Sequence, residues 1–304
     1  MKRKMLSIII SSILFIDCSP SISYGNELKT ITNTSSKSEY VEYYNKDSTK
    51  KTTIFNFFKN VFSNNDTHDG ISTKEYNWYF QPRNDNIPPQ GPKENIQIMS
   101  DYGCYYLGDP SKKILYLTFD EGYEAGYTVP ILDVLKKHNV KAAFFVVKPY
   151  ITSNPEIIKR MVDDGHLVCN HSNHHPSMAS IKDEEKFNKE LSDVEDAYEN
   201  ITHKKMAKYF RPPMGKYSEL SLKYTKNNGY KTIFWSFAYM DWIKEKQPSH
   251  DAAKKRIMQR THSGGIMLLH AVSKTNAEIL DDVITKWESQ GYQLKSLDEL
   301  PTKH

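Results

Sequence analysis

ILYLTFDEGYEAGYTVPILDVLKKHNVKAAFFVV, from Ile114 to Val147, carries the first repeat of the domain. ILYLTFD is an apolar, strand-like run. TVPILDVLKKHNV repeats apolar residues at intervals of three and four, as a helix with one buried face requires, and KAAFFVV is a second strand-like run. Strand, helix and strand in that order mark an α/β fold with mostly parallel strands. The alternation continues through PEIIKRMVDDG, HLVCNHS, DEEKFNKELSDVEDAYENI, KYFRPP, SELSLKYTKNNG, KTIFWSF, HDAAKKRIMQRTH, GGIMLLH and TNAEILDDVITKWESQG. About six β/α units result, which fit a complete or slightly broken barrel over residues 113–304 better than two domains.

Upstream of this pattern the composition changes twice. MKRK precedes the apolar run MLSIIISSILFI, Met5 to Ile16, which is short for a membrane span and reads as a secretory signal peptide over residues 1–25. Ser21, Ser23 and Gly25 offer a cleavage site, with an uncleaved anchor as the alternative. Cys18 sits where a lipoprotein cysteine would, but Asp17 is a poor match to the small residue such processing expects. Residues 26–70, rich in Asn, Ser, Thr and Lys, show no sustained strand or helix pattern and read as a linker or stalk. Residues 71–112 contain NWYFQPRNDNIPPQGP and DYGCYYLGDPSKK, turn-rich segments with aromatics to pack, and read as an extension wrapped onto the barrel.

Among 304 residues, 41 are basic and 37 acidic, a net charge of +4 that gives no sign of a dedicated nucleic-acid binder. With the leader removed only Cys104 and Cys169 remain, enough for one bridge but not for a disulfide framework.

Barrel enzymes build their sites at the C-terminal ends of strands. Here Asp120 and Glu121 end the first strand, His171 and His175 the third, and Arg211 the fourth, while Asp241 follows the fifth and His270 ends the sixth. Each has an ordinary explanation taken singly. The adjacent carboxylates suit a solvated loop start, Arg211 a surface position before a rigid Pro-Pro turn, Asp241 a loop beside an aromatic anchor, and His270 a buried, backbone-bonded imidazole. His171 and His175, four apart, would share one face of a helical turn and could bind a metal with an oxygen ligand from Asp120 or Glu121, His174 pointing elsewhere. Cys169 alternates with Val168 and Asn170 as a core residue would. For the site to vanish, all the ordinary explanations must hold at once.

TFDEG, HSNHHP, RPPMG, AYMDW and MLLH, in this order, resemble the five motifs of the polysaccharide deacetylase family, the NodB-type enzymes of carbohydrate esterase family 4. TFDEGYEAGYT, FWSFAYMDW and LLHAVSKTNAEILDDVI are similar to its delta-lactam-biosynthetic branch. The resemblance implies a deformed (β/α) barrel that removes the acetyl group from N-acetylmuramic acid in peptidoglycan, on the route to muramic delta-lactam in spore cortex. It also implies an exported monomer working on glycan strands that an amidase has stripped of peptide, with one divalent metal ion, zinc by default and manganese as the alternative. On the matching positions, His171 and His175 hold the metal, Asp120 is the general base, and Arg211 orients that base. His270 is the general acid, Asp241 orients it, and the Met214 backbone N–H supports the oxyanion. Tyr123, Trp242 and Leu269 line the substrate pocket.

Two positions depart from the pattern. Glu121 stands where the wider family has a metal-binding aspartate and the lactam branch usually asparagine, so Glu121 is either an unusually long ligand or a substrate contact. Met214 replaces a common aromatic, which a backbone role survives. Deacetylation of N-acetylglucosamine, a metal-free glycosidase using Asp120 with a second carboxylate, and a non-catalytic wall-binding protein remain as rivals.

Overall fold

The apolar strands pair into one parallel sheet. The computed structural model describes residues 28–33, 38–43 and 67–302, in two units that divide between Asn64 and Asn65. In the larger unit the strands are β1 (Ile114–Glu121), β2 (Ala143–Val146), β3 (Leu167–Asn170), β4 (Ala207–Phe210), β5 (Lys231–Thr232) and β6 (Gly265–His270). They lie in the order β5-β4-β3-β2-β1-β6, and β7 (Gln293–Leu294) pairs with the start of β1. Past Thr232 the chain no longer forms a strand. Tyr105 N–H donates to Thr232 O and Phe234 N–H to Tyr105 O, and one parallel bridge between Phe237 and Met267 joins this segment to β6. The result is the expected deformed barrel, with its irregularity between β5 and β6.

Helices α1 (Thr128–Lys137), α2 (Pro155–Asp163), α3 (Glu184–Thr202), α4 (Glu219–Asn227), α5 (His250–Arg260) and α6 (Lys274–Ser289) follow successive strands. Helix α1 buries Thr128, Ile131, Leu132 and Leu135, the spacing of a single apolar stripe. Strand parity sorts the side chains into two layers. Leu115, Leu117 and Phe119 of β1 join the helices' apolar residues in the main core, whereas Tyr116 packs with Ala143, Phe145, Cys169 and Ile266 in a separate interior cluster. Even-numbered residues of β1 therefore face the barrel axis and odd-numbered ones the helix layer, because successive side chains alternate across a strand.

Segments of residues 71–112 contact the loops after β4 and β5. Tyr76–Asn77 pairs antiparallel with Lys216–Tyr217, Trp78 N–H donates to Gly215 O at 2.7 Å, and the Trp78 indole N–H donates to Trp235 O at 3.0 Å. Trp78 forms a cluster with Met99, Cys104, Tyr217, Leu222 and Phe234. Cys104 belongs to this cluster and Cys169 to the barrel interior, and no bridge joins them. The smaller unit holds an antiparallel pair, Leu28–Asn33 with Ser38–Tyr43, in a stretch whose composition suggested no strand; alternation within SEYVEY is the overlooked cue. The expected signal peptide, Cys18 and linker residues 26–27, 34–37 and 44–66 lie outside the described residues.

Truncating Trp78 removes a ring buried under the Met214 turn. We expect Trp78→Ala to lower the unfolding free energy by about 3–5 kcal/mol in urea titrations, whereas a cost below about 1 kcal/mol would mean that the extension is not anchored there.

Candidate active site

The C-terminal ends of β1, β3 and β6, with the loops after β4 and β5, surround a cavity of about 760 Å³ whose lining includes Asp120, His171, His175, Met214, Trp242 and His270. Asp120 is the last axis-facing residue of β1. Its Oδ1 accepts from Arg211 Nη1 at 2.7 Å. Arg211 is fully buried: Nη2 donates to Thr118 Oγ1 at 2.9 Å, Nε to Ile233 O at 3.1 Å, and its guanidinium lies 4.1 Å from the Phe145 ring centre. Burial opposes the charge on Asp120, but Arg211, by charge first and also by hydrogen bond, helped by His270, outweighs it and holds the carboxyl below its ordinary range.

His171 and His175 meet with ring centres 4.8 Å apart, yet not on a helix. HSNHHP is a loop in which Ser172 (φ 69°) and His175 (φ 58°) are left-handed. Ser172 N–H donates to Asn170 Oδ1 at 2.9 Å and His175 N–H to Ser172 Oγ at 3.0 Å. Glu190 of α3 accepts from the backbone N–H groups of Asn173 and His174 and pairs with the His174 ring, which takes His174 away from the cavity. Burial lowers the affinity of both site histidines for a proton, taking His171 down to about 4.

His171 Nδ1 donates to Arg211 O at 2.8 Å, so the Nε2 lone pair faces Asp120 Oδ2 at 3.6 Å. A neutral imidazole lone pair and an ionised carboxylate oxygen oppose each other unless a cation lies between them. The residues present thus fit a divalent ion, with His171 and His175 as nitrogen donors and a carboxylate oxygen beside them. Among the described residues no group of three His, Cys, Asp or Glu side chains closes into a ready ligand set.

Glu121 does not complete one. Strand alternation turns it into the helix layer, where it is wholly buried against Thr128, Tyr150 and Glu124, and neither carboxyl oxygen has a hydrogen-bond partner. Burial first, then Glu124 and Asp120, push its pKa well up, against a smaller pull from the Thr128 hydroxyl. It therefore stands apart from the cavity lining, where sequence offered it as a long ligand or a substrate contact. Parity also corrects the pocket wall: Leu269 lies in the main core and Leu268 lines the cavity. Tyr123, Met214 and Trp242 stand half-exposed on the lining, joined by Met240, which sequence did not single out.

Opposite Asp120, His270 Nδ1 donates to Asp241 Oδ1 at 2.7 Å, and its backbone N–H donates to Asp241 Oδ2 at 2.9 Å. Burial works against the charged ring, but Asp241, by charge and by hydrogen bond, raises its pKa overall. Trp242 packs on His270 with ring centres 5.1 Å apart. At the RPPMG turn Met214 is left-handed (φ 58°), and a Cβ on Gly215 (φ 66°) would meet the Trp235 ring at 3.0 Å and Trp78 Cβ at 3.2 Å. Only glycine fits this turn beneath the extension.

Residues 107–233 match the polysaccharide deacetylase family model. Over 232 residues, 76% of this chain and 88% of the relative, the sequence is 43% identical to the peptidoglycan-N-acetylmuramic acid deacetylase PdaA of Bacillus subtilis. The chain belongs to the polysaccharide deacetylase family. The solved structure of that Bacillus subtilis protein, a family 4 carbohydrate esterase, superposes with a TM-score of 0.74 at 42% identity, over 76% of this chain and 98% of that one. A family 4 carbohydrate esterase from Bacillus anthracis superposes with a TM-score of 0.64 at 39% identity, over 77% and 99%. A family pseudoenzyme from Bacillus anthracis gives a TM-score of 0.59 at 33% identity, over 64% and 67%.

Glu121 supplies a discriminating measurement for this deacetylase-family site. A carboxyl whose folded pKa is raised contributes full stability below its unfolded value, near 4.5, and loses it as pH rises toward the folded value. In chelator-treated protein Glu121→Gln is therefore expected to melt progressively higher than the parent from pH 5 to pH 8, with metal affinity kept. A pH-independent gap, or a tenfold loss of affinity, would make Glu121 an ionised ligand.

Proposed function

We propose that this chain is an exported, metal-dependent de-N-acetylase of N-acetylmuramic acid residues in peptidoglycan, acting on peptide-stripped strands on the route to muramic delta-lactam in spore cortex. One arrangement carries the reading: an ionised carboxylate, Asp120–Arg211, and a proton-bearing imidazole, His270–Asp241, border the same cavity beside two neutral histidines. The name of the Bacillus subtilis relative supports muramic acid as the sugar. The apolar Met5–Ile16 run supports export to the wall.

Amide hydrolysis needs a base for the attacking water, charge stabilisation at the carbonyl oxygen, and an acid for the leaving nitrogen. Asp120, kept charged by Arg211, takes the proton from water. The Met214 backbone N–H stabilises the oxygen as the carbonyl carbon becomes tetrahedral. His270 protonates the sugar nitrogen from Nε2 as the C–N bond breaks, giving acetate and an amine. Tyr123, Met240 and Trp242 offer half-exposed apolar walls against which a sugar ring can lie. A divalent ion, zinc or manganese, held by His171 and His175 would polarise the carbonyl and make water easier to deprotonate. The chain keeps a base and an acid candidate, each with its partner, which supports a catalytic reading over a wall-binding role.

Incubating the protein with peptide-stripped glycan is expected to release acetate in step with new free amines on muramic acid. The release should stop with a chelator and return with Zn²⁺ or Mn²⁺. Asp120→Asn and His270→Ala should each lower kcat by roughly 10²–10⁴-fold. Amines appearing only on glucosamine would move the substrate to N-acetylglucosamine, and no release with any added metal would end the catalytic reading.

A further inference from the structure

Behind the His270–Asp241 pair lies a second polar layer to which the motifs assign no role. Asn276, in the first turn of α6, is almost completely buried. Its Nδ2 donates to Asp241 Oδ2 at 2.6 Å and to His270 O at 3.2 Å, using both amide protons. Its Oδ1 accepts from the Tyr239 hydroxyl, and its backbone N–H donates to the Ser273 hydroxyl that caps α6. Tyr239 is itself part of the cavity wall. A chain of donors therefore runs from that wall to the imidazole: Tyr239 to Asn276, Asn276 to Asp241, with His270 donating to Asp241 from the other side.

This wiring has one consistent orientation. If the amide turned over, its carbonyl would face Asp241 Oδ2, acceptor against acceptor, inside the protein. The Tyr239 hydroxyl, by donating to Oδ1, favours the other orientation. Asp241 then receives three hydrogen bonds, one at Oδ1 and two at Oδ2, and remains an acceptor toward His270 Nδ1. With Nδ1 committed as donor, the neutral ring carries its proton there, and Nε2 is the nitrogen that gains and loses a proton toward the cavity.

We propose that Asn276, oriented by Tyr239, is a positioning residue that fixes the tautomer and aim of the proposed acid His270. The inference rests on the acid role given to His270 above, but its first measurement does not. In the chelator-treated full chain, labelled with ¹⁵N-histidine, the neutral His270 ring should hold its proton almost wholly on Nδ1. In Asn276→Leu, which removes both amide donors at similar volume, the Nε2-protonated fraction should rise at least threefold. kcat for acetate release should fall about 10–100-fold, with KM changed less than twofold.

Tyr239→Phe keeps the core volume and removes only the hydroxyl, so it should show the same two effects more weakly; it carries the test if Asn276→Leu does not fold. An unchanged tautomer in the folded variant, or a loss confined to KM, would overturn the proposal. A shifted tautomer with unchanged kcat would leave the positioning standing and overturn the acid role of His270.

Discussion

A guanidinium with no access to solvent has to be paid for locally, and Arg211 is fully buried at the axis of the barrel. Its compensation comes from Asp120, Thr118, Ile233 O and the face of Phe145, contributed by β1, β2 and the segment after β5. Removing either member of such a buried pair leaves an uncompensated charge, a cost of about 3–5 kcal/mol. The same side chain therefore closes the top of the interior and sets the charge state of Asp120. His171 is drawn into the arrangement because its Nδ1 proton goes to the Arg211 carbonyl, which directs Nε2 at Asp120.

Across the cavity the pattern is repeated with a different donor. Asp241 is as deeply buried as Arg211 and is satisfied by His270 and Asn276. One carboxylate is held by a cation, which favours its ionised form; the other holds an imidazole and strengthens its hold on a proton. The two pairs point their working atoms into one space while their charges are balanced behind the wall. An acid and a base separated in this way can be present together at one pH.

Much of this was legible in the chain. Apolar runs and three-four spacing located six strand-helix units, and polar residues at strand ends marked Asp120, His171, His175, Arg211, Asp241 and His270. What escaped was parity and backbone handedness. Whether Asp120 or Glu121, and Leu268 or Leu269, faces the axis depends on strand register, which a run of apolar residues on both faces does not encode. The left-handed residues at Ser172 and His175 bring two imidazoles together where spacing suggested a helical turn. Asn276 and Tyr239 escaped because their importance lies in pairing with each other, 37 residues apart. A lone amide in a helix and a lone tyrosine in an aromatic motif give no such signal.

The contact of Trp78 with Gly215 bears on what counts as the portable unit of this protein. The family signature spans residues 107–233, but the residue beneath its central turn precedes that span, and Asp241 and His270 follow it. Homology boundaries and mechanical boundaries are therefore different here. A graft or chimera cut at the edges of the signature would carry Asp120, His171, His175 and Arg211 to a new host without the partner dyad or the brace under the turn. Exchange between relatives would have to move the extension and the barrel together, so the two are expected to diverge as one inherited block.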